Sequence, residues 1–137
     1  MAENRFDRGR KKMEELHGTY GSSVLARLDL VAPDLKRWII EFAFGEVYCR
    51  PGLDIKLRQI ATVAALVALR HGGDELKSHI RAALKAGCSR QEVMEVIMQM
   101  ALYAGFPAAI GAVADAGEAF AELDAGLERP APPASLE

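Results

Sequence analysis

Gly45-Glu46-Val47-Tyr48-Cys49-Arg50-Pro51-Gly52-Leu53-Asp54 closes one helix and opens the next. Pro51 stops the first, because the residue before a proline avoids helical angles. Asp54 is a side-chain cap for the second. Upstream, Pro33 stands where a first helical residue has no use for its N–H. From there Leu35, Trp38, Ile39 and Phe42 recur at spacings of three and four. That predicts a helix from residue 33 to about 49 with these four on its buried face. Continued, the spacing reaches Glu46 and Cys49, so a carboxylate falls on or beside the buried stripe. Two readings follow. Glu46 and Arg50 form a plain i,i+4 pair, or they belong to a site.

Downstream, the helix opened by Asp54 runs to about Arg70, and residues 60–69 are apolar on all sides. A helix of that kind is surrounded by protein, which in a short chain implies subunit contacts as well as an internal core. Gly72-Gly73 breaks it, Asp74 is placed to cap the next helix, and Gly87 stands at that helix's C′ position. Ser89-Arg90-Gln91-Glu92 fits a capping box. Val93, Val96, Ile97, Met100 and Ala104 form the stripe of the following helix, which Gly105 ends. Pro107 starts the last, rich in alanine and glycine, with Ile110, Val113 and Phe120 as its larger apolar residues. At the other end, residues 3–17 read as an exposed amphipathic helix whose narrow stripe is Phe6, Met13 and Leu16. Gly18 and Gly21 bracket a loop around Tyr20, and Ser22 or Ser23 caps a short helix. No strand-like alternation interrupts the pattern. The expectation is an all-α, single-domain fold of six to seven helices over residues 1–125. Residues 126–137 form a proline-rich tail that is expected to be disordered.

Composition narrows the function. The 137 residues are half hydrophobic and a quarter charged, with a net charge of −2. That is globular and lacks the basic footprint of a nucleic-acid binder. The N-terminus has no apolar signal segment, and the longest apolar run is too short to span a bilayer. The two cysteines, Cys49 and Cys88, are far apart and imply neither a disulfide framework nor a metal knuckle. The expected setting is cytoplasmic, with no nucleic-acid or membrane partner.

Among the residues able to carry chemistry, His79 is the most informative. It falls between Leu76 and Ala83 on the inward side of its helix, with Lys77, Arg81 and Lys85 expected to point elsewhere. One reading is a locally satisfied core or interface histidine. The other is a proton donor or acceptor near neutral pH. Glu46 sits near a helix C-terminus, where the dipole disfavours a carboxylate, so its charge needs compensation. If Glu46, Arg50 and His79 converge, the carboxylate raises the proton affinity of the histidine and the arginine clasps a substrate carboxylate. His17 and His71 are expected to be solvent-exposed. Neither cysteine sits where a thiolate is favoured. No metal-ligand spacing, phosphate loop or dinucleotide fingerprint occurs.

The quoted stretch resembles the GE-aromatic-RPGLD signature of the carboxymuconolactone decarboxylase family. The resemblance continues through Leu66-Val67-Ala68-Leu69, Glu75-Leu76-Lys77-Ser78-His79-Ile80-Arg81-Ala82-Ala83-Leu84, and the run from Glu95 to Ala109. It implies the all-α fold shared with alkylhydroperoxidase D, assembled as a homohexamer or homotrimer. It also implies cofactor-free decarboxylation of 4-carboxymuconolactone, or a related small lactone or carboxylate, in aromatic-compound breakdown. The family's site positions match Glu46 and His79, expected to be catalytic, and Arg50, expected to bind substrate. Trp38, Phe42 and Tyr103 are expected to supply an apolar wall. The peroxidase branch of the fold requires Cys-x-x-Cys followed by a histidine four residues on. The matching positions here are Gly72 and Glu75, and the upstream acidic position is Gln59, so a thiol peroxidase route is not expected. The rivals are an enzyme of this fold acting on another substrate and a non-catalytic oligomeric binding protein.

Overall fold

A computed structural model describes residues 2–127, apart from the side chains of Thr19, Tyr20, Ser22 and Ser23. It contains seven helices and, among the described residues, no strand. They are α1 (Arg5–Ala26), α2 (Pro33–Trp38), a π-helix (Ile39–Val47), α3 (Ile55–Ala68), α4 (Asp74–Lys85), α5 (Arg90–Ala104) and α6 (Phe106–Asp124). Two compact units divide the chain, with the boundary at Gly52 and Leu53, inside the quoted stretch. Most of the tail, residues 128–137, lies outside the described residues.

The first unit packs α1 against the π-helix. The Asn4 side chain caps α1 by accepting from the Asp7 N–H at 2.9 Å. At the expected loop the helix is interrupted by Gly18, at φ 57° and ψ −147°, so α1 is two helical segments joined across a kink. The expected caps Ser22 and Ser23 have side chains outside the described set. Met13 and Leu16 are buried, as their stripe predicts. Gly9 and Gly45 let the two backbones approach. A Cβ on Gly9 would run into the Ile40 carbonyl, and one on Gly45 into the Arg5 carbonyl.

The helix from Pro33 begins as predicted and then changes type. After Trp38 it continues with i→i+5 bonding, for example Tyr48 N–H to the Ala43 carbonyl at 2.9 Å. Each wider turn takes an extra residue, so a count made at three and four slips out of register. The buried residues are Ile40, Phe44 and Gly45, whereas Leu35, Trp38 and Phe42 are exposed. Glu46, expected on or beside the buried face, is exposed as well. His17, expected in solvent, is half-buried with its ring edge-on to Phe44, 5.7 Å between centroids.

The second unit is a four-helix arrangement with its core on Val63, Leu66, Val67, Leu76, Ile80, Val93 and Ile97. Its caps follow the sequence closely. Asp54 accepts from Leu57 N–H at 2.9 Å. Ser89 and Glu92 form both bonds of the capping box, at 2.9 and 3.0 Å. Asp74 differs: Gly73 holds the cap position of α4 and Asp74 is already in the first turn. Helix α3 is not enclosed within one chain, since Ala61, Ala65, Ala68 and Leu69 remain exposed. On α6 the buried face is made of Ala109, Ala112, Ala116 and Ala119, while Ile110 and Val113 point outward. Small residues permit close helix approach here and leave the larger ones on the surface.

Candidate functional site

In the second unit, α4 carries His79 and α3 carries Gln59. The spacing of Gln59, Val63, Leu66 and Val67 gives α3 one inward face, and all four are buried. Gln59 is fully inaccessible, and its Oε1 lies 3.2 Å from His79 Nδ1. With the carboxamide oxygen facing the ring, the contact is a hydrogen bond in the tautomer that carries its proton on Nδ1. Burial holds the imidazole pKa below its ordinary 6.5, opposed by the charge of Glu75 one turn earlier. The site therefore favours neutral histidine at neutral pH. Gln59 Nε2 has no hydrogen-bond partner among the described residues.

Farther round α4, Lys77 and Arg81 do not point away as expected. Lys77 is buried, with Nζ 3.1 Å from Glu118 Oε2 and 3.3 Å from Glu122 Oε1, both on α6. Arg81 Nη1 binds the other oxygen of Glu122 at 2.8 Å. Burial opposes the charge of Lys77, yet its two glutamate partners hold its pKa above the usual value. This cluster locks α4 to α6 behind His79. Its signal in the sequence is the i,i+4 pair Glu118 and Glu122 opposite two cations.

In the first unit, Glu46 is bound by α1. Its Oε2 lies 3.2 Å from Arg5 Nε and 3.7 Å from Arg8 Nη2. These arginines compensate a carboxylate near a helix C-terminus. Arg8 Nε also donates to the Gly45 carbonyl at 2.7 Å. Trp38 and Phe42 come together with Arg5, Ile39, Glu41 and Ala43 along a groove of about 390 Å³. Arg5 and Arg8 were missed in the sequence, where they read only as part of a polar N-terminal helix. Arg50 is exposed beyond the π-helix, and its backbone N–H bonds the Val47 carbonyl at 3.2 Å. Tyr103, near the end of α5, is 78% exposed.

The cysteines behave as structural thiols. Cys49 Sγ donates to the Phe44 carbonyl at 3.1 Å. Cys88 is buried, which pushes its thiol pKa up. At the peroxidase thiol positions, Glu75 is exposed and Gly72 faces Asp115. A Cβ at residue 72 would come within 2.7 Å of Asp115 Oδ2, the oxygen that accepts from Gly73 N–H at 2.8 Å. Among the described residues no cluster of three metal-ligating side chains occurs. No helix there is long and apolar enough to cross a membrane.

Residues 33–119 match the sequence profile of the carboxymuconolactone decarboxylase family. The chain is 36% identical to the 4-carboxymuconolactone decarboxylase of Acinetobacter baylyi, over 93% of this chain and 95% of that protein. It is 31% identical to the nitrosuccinic acid decarboxylase of Metarhizium robertsii, over 79% and 76% of the two chains. An uncharacterized 15.0 kDa protein of Paracoccus denitrificans is 32% identical over 71% of this chain and 73% of its own length.

Proposed function

The chain belongs to the carboxymuconolactone decarboxylase family, and from that premise we propose that it is a cofactor-independent decarboxylase of 4-carboxymuconolactone or a closely related small acid. The substrates named by its two decarboxylase relatives share a chemistry. Each is a small acid with a second carboxylate and an electron-withdrawing group that accepts the electron pair left by departing carbon dioxide.

For the lactone, the C–C bond to the carboxylate breaks. Its electrons move through the ring double bond onto the lactone carbonyl oxygen, and a proton is then delivered to carbon. The enzyme must stabilise that oxygen and supply that proton. His79 takes the proton role. Neutral at rest, the imidazole takes up a proton from solvent and passes it to the substrate carbon; its lowered pKa makes the charged form a ready donor and returns it to the neutral state. Arg50 is assigned to the carboxylate that stays on the product, through the bidentate geometry of a guanidinium. Glu46 is assigned to the handling of the proton. Trp38, Phe42 and Tyr103 are assigned to the apolar surface that replaces water around the departing group. The observation that most supports this reading is the environment of His79: half-buried, kept neutral, and paired through Nδ1 to a buried carboxamide.

Self-association as a homohexamer or homotrimer belongs to the same reading. It is supported by the exposed Leu102, Phe106 and Ile110, which are 80%, 75% and 68% accessible in the single chain. The test is turnover of 4-carboxymuconolactone followed by ultraviolet absorbance, with nitrosuccinate as the second substrate. Wild type converts one of them, and His79→Ala loses turnover while its elution volume on size exclusion is unchanged. Full activity in His79→Ala removes His79 from the mechanism.

A further inference from the structure

Helices α3, α4 and α6 end in the same way. In each, the residue after the cap adopts a left-handed conformation, and the following N–H bonds back to the carbonyl five residues earlier. These bonds are His71 to Leu66 at 2.9 Å, Cys88 to Ala83 at 3.0 Å and Leu127 to Glu122 at 2.9 Å. On α4 and α6 the left-handed residue is glycine, Gly87 at φ 107° and Gly126 at φ 68°. On α3 it is Arg70, at φ 59°, the one non-glycine residue with positive φ among those described. A side chain there is strained, and Gly72 and Gly73 lie only two and three residues further on. A strained residue kept where glycine would serve invites a functional reason.

The cavity beside it supplies one. Arg70 lines a cavity of about 170 Å³ together with Leu66, Leu76, Pro107 and Ala112. It is the single charged residue of that lining. Its volume is of the order of the ~150 Å³ that holds a benzene-sized body, and it opens to solvent beside the exposed Arg70 and Gly72. Among the described residues, the salt bridges of this unit join Lys56, Lys77, Arg81 and Arg90 to acids, and none involves Arg70. The far wall is the first turn of α6, which carries no acidic residue and no side-chain cap. Asp115 stands next to Gly72, so its charge opposes an anion there, and a second carboxylate would add to the repulsion. Neither His79 nor Gln59 belongs to the lining.

We propose that this cavity, at the C-terminal end of α3 and the first turns of α4 and α6, binds a small monocarboxylate with an apolar body. The body fills the apolar walls and Arg70 holds the carboxylate. The site is independent of the decarboxylase reading, and its test does not use turnover.

The probe is benzoate, with benzamide as its neutral counterpart, followed by calorimetry and amide NMR on the full chain. Benzoate is expected to bind and to shift the amide signals of Leu66, Gly72 and Gly111, with benzamide at least tenfold weaker. Arg70→Gly is expected to lose at least tenfold in benzoate affinity. Arg70→Gln does the same while keeping a side chain at that position, in case the glycine variant folds poorly. A Cβ on Gly111 meets nothing within 4 Å, so Gly111→Leu has room to enter the cavity and is expected to abolish binding. The proposal is overturned if wild type does not bind benzoate or if benzamide binds as well. Undiminished binding by both Arg70 variants, or shifts confined to residues 2–52, overturns it equally.

Discussion

His79 Nδ1 and Gln59 Oε1 lie 3.2 Å apart, joining α4 to α3 across twenty residues of sequence. The pairing decides which ring nitrogen carries the proton. A carboxamide oxygen accepts from Nδ1–H without adding charge, so burial remains the dominant influence on the imidazole. Gln59→Glu replaces it with a carboxylate that favours imidazolium. The His79 pKa should rise, and any pH–rate profile that depends on His79 should shift to higher pH with it. Gln59→Leu should leave Nδ1 without this acceptor and mix the two tautomers. Nitrogen-15 NMR of the imidazole through a pH titration reads both effects without substrate. An unchanged His79 titration in Gln59→Glu would show that the carboxamide does not tune the ring.

The same histidine makes stability depend on pH. Its pKa is lowered in the folded chain from an ordinary value of 6.5. Between the folded and unfolded values the unfolded chain binds more protons, so stability rises with pH there. The contribution is complete above the unfolded value and is lost as pH falls through 6.5 toward the folded value. Urea midpoints should therefore drop on going from about pH 7.5 to about pH 5.5, the range in which histidine titrates. His79→Leu should flatten that part of the curve. A slope unaltered in the variant would assign it to other groups.

Lys77 has a buried side chain whose ammonium meets Glu118 and Glu122 at the surface of α6. Lys77→Ala removes the shared cation and leaves Glu122, itself 15% exposed, with Arg81 alone. Removing one partner of a buried pair is costly, here about 2–3 kcal/mol, because Arg81 still compensates part of the charge. Lys77→Met keeps the apolar stem and should cost less. Denaturant unfolding of the two variants measures the difference, and equal losses would point to packing rather than charge.

Gly9 and Gly45 mark where α1 meets the π-helix backbone to backbone. A methyl group on Gly9 would collide with the Ile40 carbonyl, and one on Gly45 with the Arg5 carbonyl. Neither obstacle is a side chain that can swing aside. Gly9→Ala should therefore destabilise by about 2–3 kcal/mol, the upper range for overpacking. Gly117→Ala, whose new Cβ meets nothing within 4 Å, should be neutral or mildly stabilising in its helix. Thermal melts of the pair test the contrast.

Legibility followed the range of the interactions. Asp54, the Ser89–Glu92 box, Gly87 and Gly105 act on neighbours within a few residues, and the structure has them where the sequence predicts. Leu76 and Ala83, which flank His79 in the predicted stripe of α4, are buried, and His79 itself is half-buried. Glu46 was misread because the stripe leading to it was counted as an α-helix through a π-helical stretch. Arg5, Arg8, Glu118 and Glu122 were missed as partners because each lies about forty residues from the charge it meets. Surface-type residues give no local sign that they will be brought to a distant counter-charge.

By itself the sequence determined the helical class, the caps at Asp54 and Ser89, the absence of the peroxidase thiols and the family. All of these depend on residue type and short spacing. The tertiary structure decided how the stretch from Gly45 to Asp54 is used. It widened the turns before it, turned Trp38 and Phe42 outward, and handed the charge of Glu46 to two arginines of α1. It also paired His79 with Gln59 and buried Lys77. The physical reason is that charge compensation and burial depend on which surfaces are apposed. Apposition is a property of packed helices, not of any one of them.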